Sequence, residues 1–135
     1  MSAPARPFVD TNVLLYLLSD DTAKADRAEA MLAGRIVISV QVLNEFANVA
    51  RRKLCFDWSQ VEQTLLDIRR FAKVHPLTLE THERGIALAK RYQLSVCDAM
   101  IAAAALEAGC EMLASEDFSA GQRIEGRLTI RNPFT

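Results

Sequence analysis

The stretch Arg6-Pro-Phe-Val-Asp10-Thr-Asn12-Val-Leu-Leu-Tyr16 decides how the rest of the chain is read. Its first part is a short apolar strand. Asp10, Thr11 and Asn12 favour turns and helix caps, so the strand is expected to end at Asp10. From Val13 to Leu18 the chain is apolar and helical in character. The same handover recurs downstream. Ile36-Val-Ile-Ser39 is a β-branched run suited to a strand buried on both faces, and Ser39 is placed to cap a helix running to about Lys53, with Val42, Phe46, Val49 and Ala50 on its inner side.

Working outward, Asp20-Asp-Thr22 supplies caps for a helix that carries Ala25, Ala28 and Leu32 and is closed by Gly34. A further helix is predicted from about Ser59 to Ala72, with Val61, Leu65 and Ile68 inward, then a brief extended piece, Val74 to Leu77, broken by Pro76. Another helix follows from about Leu79 to Tyr92. Ser95 opens an alanine-rich helix through Ala108 that Gly109 stops, and Met112 to Ser115 forms the next strand. Residues 118–127 read as loop, and Arg127 to Arg131 as a last short strand. Strands alternating with helices imply β-α-β crossovers. The expected fold is therefore α/β, with a mostly parallel central sheet of about five short strands flanked by helices on both faces.

Composition agrees with one domain spanning residues 1–135. The 135 residues are half hydrophobic, and 16 basic against 17 acidic side chains leave a net charge of -1. Apolar runs such as Ala102 to Leu106 fall far short of the roughly 20 residues that span a bilayer. The segment Met1 to Arg6 is too short and polar for a secretory signal, so no membrane association and a cytoplasmic address are expected. Cys55, Cys97 and Cys110 are odd in number and lack CxxC spacing, which predicts reduced, mostly buried thiols rather than a disulfide framework or zinc site. His75 and His82 are too few for a histidine-rich metal centre and are expected on element surfaces.

Ligands in open α/β sheets bind beyond the carboxyl ends of the strands, and here those positions are acidic. Asp10 follows the first strand, Glu116 and Asp117 follow the Met112 strand, and Asp98 lies in the first turn of the helix opened by Ser95. Glu45 falls on one line with Val42 and Val49, so a carboxylate interrupts a core-facing ridge. Each also has a plainer structural reading: Asp10 and Asp98 as helix caps, Asp117 in an Asx turn, Glu45 on a solvated helix edge. Together, converging carboxylates with no interleaved Arg or Lys would repel one another unless a divalent cation joined them. Oxygen ligands with few imidazoles point to Mg²⁺ or Mn²⁺. Phosphodiester hydrolysis is the natural reaction of such a site.

Four segments taken in order, Phe8-Val-Asp10-Thr-Asn-Val-Leu-Leu-Tyr16, Asn44-Glu45-Phe46, Cys97-Asp98-Ala-Met-Ile-Ala-Ala-Ala and Ser115-Glu116-Asp117-Phe118, resemble a PIN-domain ribonuclease, specifically the toxin of a VapBC toxin–antitoxin pair. The resemblance covers nearly the whole chain. It implies a compact α/β/α fold, Mg²⁺ or Mn²⁺ dependence, endonucleolytic cleavage of RNA, a homodimer, and inhibition by a cognate VapB-like antitoxin. It also implies that Asp10, Glu45, Asp98 and Asp117 bind the metal, with Thr11, Asn12 and Ser115 as polar helpers. Glu116 is left sharing or exchanging the role of Asp117. Cys97 departs from the family pattern, in which this position is often aromatic.

Arg123 and Arg127, which follow the acidic loop in sequence, are the favoured phosphate-binding residues. Trp58 and Tyr16 are able to stack on bases, although such residues more often serve core or interface. Val13, Leu14, Leu17 and Leu18 offer more apolar surface than a short helix buries alone, which predicts dimerisation through the early helices. The walls expected for an antitoxin groove are Tyr16 to Leu18 and the Val42 to Val49 helix. Two rival readings remain: a PIN-like module that binds partners without catalysis, and a receiver-like signalling domain. The latter wants paired acids after the first strand and a late lysine, neither of which is found in the quoted segments.

Overall fold

A computed structural model describes residues 6–135 of the chain. The reading of Met1 to Ala5 as too short and polar for a signal lies outside the described residues. Strand β1 (Phe8–Val9) passes directly into helix α1 (Thr11–Leu15), which tightens into a 3-10 turn over Tyr16–Leu18. Then come α2 (Thr22–Ala33), β2 (Ile36–Ser39), α3 (Val40–Arg52), α4 (Trp58–Phe71), β3 (Ala72–His75), α5 (Leu79–Tyr92), α6 (Val96–Glu107), β4 (Met112–Ala114), β5 (Arg123–Ile124) and β6 (Leu128–Arg131).

The sheet order is β3-β2-β1-β4-β6-β5, parallel throughout except for the antiparallel β5–β6 pair. From β1 the chain moves one way to β2 and β3, then returns to place β4 on the other side of β1. That reversal puts a topological switch point between β1 and its two neighbours, and the carboxyl ends of β1 and β4 beside it are the position where open α/β sheets bind ligands.

The handovers follow the local chemistry. Asp10 caps α1, Asp21 caps α2, Ser39 caps α3 through the Val42 amide, and Ser95 caps α6 through the Asp98 amide. The Ala99–Leu106 run is buried throughout, because α6 lies between the sheet and α5. Gly85 permits that packing: a Cβ there would stand 2.6 Å from the Met100 sulfur.

Several expectations need correction. The sheet has six strands, because residues 118–127 contain β5. It pairs with β6 through a tight turn in which the Arg127 amide donates to the Ile124 carbonyl over 3.1 Å and both Glu125 and Gly126 have positive φ, as turns of the primed type require. Strand β3 starts two residues earlier than predicted and ends at His75, since the following Pro76 has no donor for a ladder. Cys55 and Cys97 are exposed, and only Cys110 is buried. Cys55 lies just after α3 and Cys97 in the first turn of α6, both outside the core. Val13 and Leu14 are buried in the chain's own core, and Leu17 and Leu18 pack half-buried against it. Half of the patch expected to drive dimerisation is therefore covered within one chain, while Leu17 and Leu18 keep part of their surface open. His75 is half-buried in β3 and His82 exposed on α5. No helix among the described residues is long and apolar enough to cross a membrane.

Candidate active site

Asp10 sits directly after the carboxyl end of β1 and is only 2% exposed. Its Oδ1 accepts from the Thr11 amide at 2.7 Å and its Oδ2 from the Ser115 hydroxyl at 2.7 Å. Ser115, directly after β4, is the hub of the site. While donating to Asp10, its oxygen accepts from the Asp117 amide at 3.0 Å and from the Asn12 side-chain amide at 3.5 Å. Asn12 in turn accepts weakly from the Glu116 amide at 3.4 Å. The loop after β4 is thereby folded back so that Asp117 faces Asp10. From α6, the Ser95 hydroxyl receives the Asp98 amide at 3.1 Å, which fixes the first helical turn and directs Asp98 to the same place.

Asp10, Asp98 and Asp117 each bring one carboxylate oxygen to within 4.8 Å of the others. Glu45 lies on the same edge but outside that mutual distance. Its Oε2 accepts from the Thr11 hydroxyl at 2.8 Å and its Oε1 from the Gln41 amide at 3.0 Å. The expected convergence is seen for the three aspartates, while Glu45 lies outside their mutual distance and is held by Thr11 and Gln41. Of the two adjacent acids, Asp117 stands in the cluster, whereas Glu116 faces Lys24, whose Nζ stands 3.7 Å from its Oε2 and also donates to the Tyr16 hydroxyl at 3.1 Å. Gln41 and Lys24 are contributors the sequence reading did not single out. Gln41 was signalled by its i, i+4 spacing to Glu45, whereas nothing local linked Lys24 to Glu116.

The electrostatics follow from burial and like charge. Desolvation, with the negative charges of Asp117 and Asp98 adding to it, pushes the Asp10 carboxyl up to about 6 against two hydrogen bonds that oppose the rise. Burial, then Asp117 and Glu45, also raises Asp98. The exposed thiol of Cys97 is raised by desolvation and by Glu45. None of the ion pairs among the described residues involves Asp10, Asp98 or Asp117. Three acids that repel one another and lack a basic partner suit a hard divalent cation, because oxygen ligands at about 2.0 to 2.6 Å place opposite ligands about 4 to 5 Å apart. The donor set fits Mg²⁺ or Mn²⁺ better than zinc, which prefers nitrogen and sulfur.

Other sequence-predicted residues fall elsewhere. Arg123 lies on β5 level with Thr129 and Met112, and its guanidinium donates to the Gly126 carbonyl at 2.6 Å. Arg127 is in the β5–β6 turn, towards the amino end of β6. Both line a cavity of about 660 Å³ with Gly109 and Cys110, at the end of the sheet opposite the carboxylates. Their nearness to the acidic loop in sequence is undone because β5 runs back antiparallel. Tyr16 packs edge-on against Phe134, with ring centres 4.6 Å apart, and walls a groove beside the site.

The sequence pattern of the PIN domain matches residues 8–121, and the chain belongs to the PIN domain family. Its fold is shared with toxins of toxin–antitoxin systems. A chain of a toxin–antitoxin complex from Klebsiella pneumoniae superimposes with TM-score 0.71 at 23% identity, covering 94% of this chain and 97% of that one. VapC20 of Mycobacterium tuberculosis, a sarcin-ricin loop cleaving toxin, gives 0.68 at 23% identity, over 89% and 98%. VapBC2 of Rickettsia felis, bound to a DNA fragment from its promoter, gives 0.66 at 17%, over 93% and 98%. No match was found among curated proteins by sequence. Membership of the PIN family sets aside the receiver-like reading.

Proposed function

We propose that this protein is a Mg²⁺- or Mn²⁺-dependent endoribonuclease toxin that cleaves RNA phosphodiester bonds in the cytoplasm and is held inactive by a cognate VapB-like antitoxin. The observation that carries the reading is the Asp10, Asp98 and Asp117 cluster, drawn within 4.8 Å from three separate segments and without an ion-pair partner among the described residues. Asp10, Asp98 and Asp117 would hold the cation. When bound, it supplies a Lewis acid for phosphoryl oxygens and a more acidic water.

The chain's own residues do the rest. Ser115 keeps Asp10 in place and fixes the loop that presents Asp117. Glu45, oriented by Thr11 and Gln41, stands beside the ligand set rather than within it, where it can take up the proton lost by the attacking water. Asn12 steadies the loop from α1.

For the antitoxin, a groove of about 370 Å³ lined by Leu15, Tyr16, Leu18, Val49 and Lys53 opens beside Asn12 and Glu116. Its apolar walls suit one face of a helix, and the adjacent carboxylates suit an arginine. The homodimer is proposed through other surfaces than the early helices. Leu79 and Ile86 on α5 and Val96 at the start of α6 remain exposed and apolar.

The experiment is to incubate the purified protein and its Asp10→Asn variant with RNA in the presence of EDTA, Mg²⁺ or Mn²⁺ and to map the new ends. Cleavage by the wild type only with metal, and none by the variant, is expected. Metal-independent cleavage would contradict the metal assignment. No cleavage of any RNA, with metal bound, would favour the partner-binding module.

A further inference from the structure

Helix α3 carries a second group of polar side chains one to two turns beyond Glu45. Trp58, the first residue of α4, is 62% exposed, unusual for so large an apolar side chain. It nevertheless has a packing partner. The Arg51 guanidinium lies 4.5 Å from the ring centre, and the same side chain donates to the Phe56 carbonyl at 2.8 Å. One side of the indole is thus backed by a cation while the ring stays open to solvent. Trp58, Asn48, Arg51 and Arg52 line a shallow cleft of about 310 Å³. Asn48 and Arg52 follow Glu45 at i+3 and i+7, so the cleft continues the same ridge of α3, about 5 to 10 Å along its axis from Glu45.

We propose that Trp58, backed by Arg51 and flanked by Asn48 and Arg52, is a stacking platform for an unpaired base of a single-stranded RNA segment that runs on into the acidic centre. This rests on the reading of the chain as a ribonuclease. An aromatic face beside same-sign guanidinium groups combines base stacking with phosphate neutralisation, the two elements of single-strand recognition. The nearby acid Asp57 is engaged as the α4 cap, accepting from the Gln60 amide at 2.8 Å. A second copy of this chain suits the cleft poorly, since a two-fold contact would press Arg51 and Arg52 against their own counterparts. The Asn48 amide supplies a donor and an acceptor for a base edge. The acidic centre repels phosphates in the absence of metal, so basic side chains further along α3 give the strand a place to hold.

Trp58 is the single tryptophan of the chain, which makes the test direct. The Asp10→Asn protein is titrated in Mg²⁺ with an end-labelled, unpaired oligoribonucleotide of about ten residues, a length within single-strand site sizes. Label anisotropy and tryptophan emission are recorded together. The expected result is quenching that tracks anisotropy, an affinity about 5- to 100-fold weaker in the added Trp58→Ala variant, and much smaller loss in Trp58→Phe. Arg52→Gln should lower the salt slope of log K by about 0.7. RNA that binds with unchanged emission and unchanged Trp58→Ala affinity would overturn the platform while leaving the nuclease reading intact. Emission that instead changes with protein concentration before RNA is added would overturn it in favour of a copy-to-copy contact. If no RNA binds, and the wild type cleaves none, the nuclease reading falls and the platform with it. Should Trp58→Ala fail to fold, the quenching result alone decides.

Discussion

The Ser115 hydroxyl donates to Asp10 Oδ2 over 2.7 Å, joining the carboxyl ends of β4 and β1 across the point where the strand order reverses. The same oxygen receives the Asp117 amide, so one buried side chain sets the position of two of the three clustered acids. Ser115→Ala should therefore weaken metal binding by about 10- to 100-fold, the usual effect of losing a residue that orients a ligand, while the chain still folds. Calorimetric titration with Mn²⁺ and a circular dichroism spectrum check both parts. Undiminished affinity would show that the two aspartates are held by other means.

The raised Asp10 carboxyl makes metal-free stability depend on pH in a definite direction. With Asp10 at about 6 when folded against its usual 3.8, the folded chain binds more protons than the unfolded one between those values. Its contribution to stability therefore falls as pH rises through that window. Asp10→Asn removes this dependence. In EDTA the variant should be more stable than wild type by up to about 3 kcal/mol above pH 6, since each tenfold change in proton affinity is worth about 1.4 kcal/mol, and the difference should vanish below pH 4. Urea denaturation of both proteins at several pH values measures it. A difference that does not change with pH would refute the buried, repelled carboxylate.

Antitoxin binding should compete with the cation. An arginine reaching the cluster would meet two carboxylates at once, as lysine cannot, and would need the same oxygens as Mg²⁺. Affinity should fall as Mg²⁺ rises and should fall in Asp98→Asn, whereas Leu18→Ala, in the groove wall, should weaken binding at every Mg²⁺ concentration. Affinity indifferent to Mg²⁺ and to Asp98→Asn would leave steric cover as the only mode of inhibition.

Much of this site was legible because it is written in local chemistry. Asp10 marks the end of a strand and caps the helix after it, and Asp98 stands third after a capping serine, so their places on the edge follow from element boundaries. What the sequence left open depended on long-range geometry. Glu116 and Asp117 are adjacent and chemically alike, and their separation is made by Ser115 holding one amide and Lys24 drawing the other side chain. The period of α3 told which face Glu45 occupies but not that Thr11 and Gln41 would hydrogen-bond its two oxygens. Strand β5 is two residues long between Gly121 and Gly126, too short for alternation to register. The apolar run from Val13 to Leu18 announced burial without saying by what: Val13 and Leu14 lie in the chain's own core, while Leu15, Tyr16 and Leu18 stay half-open as a groove wall.

We propose that Asp10, Asp98 and Asp117 form a divalent-cation site to which Glu116 does not belong. Electron paramagnetic resonance titration with Mn²⁺ counts bound ions directly. The wild type and Glu116→Gln should bind Mn²⁺ with similar affinity, while Asp10→Asn, Asp98→Asn and Asp117→Asn should each weaken it by at least about tenfold, as expected for loss of a charged ligand on a hard cation. No bound Mn²⁺ in the wild type, or loss in Glu116→Gln with retention in Asp117→Asn, would contradict the account.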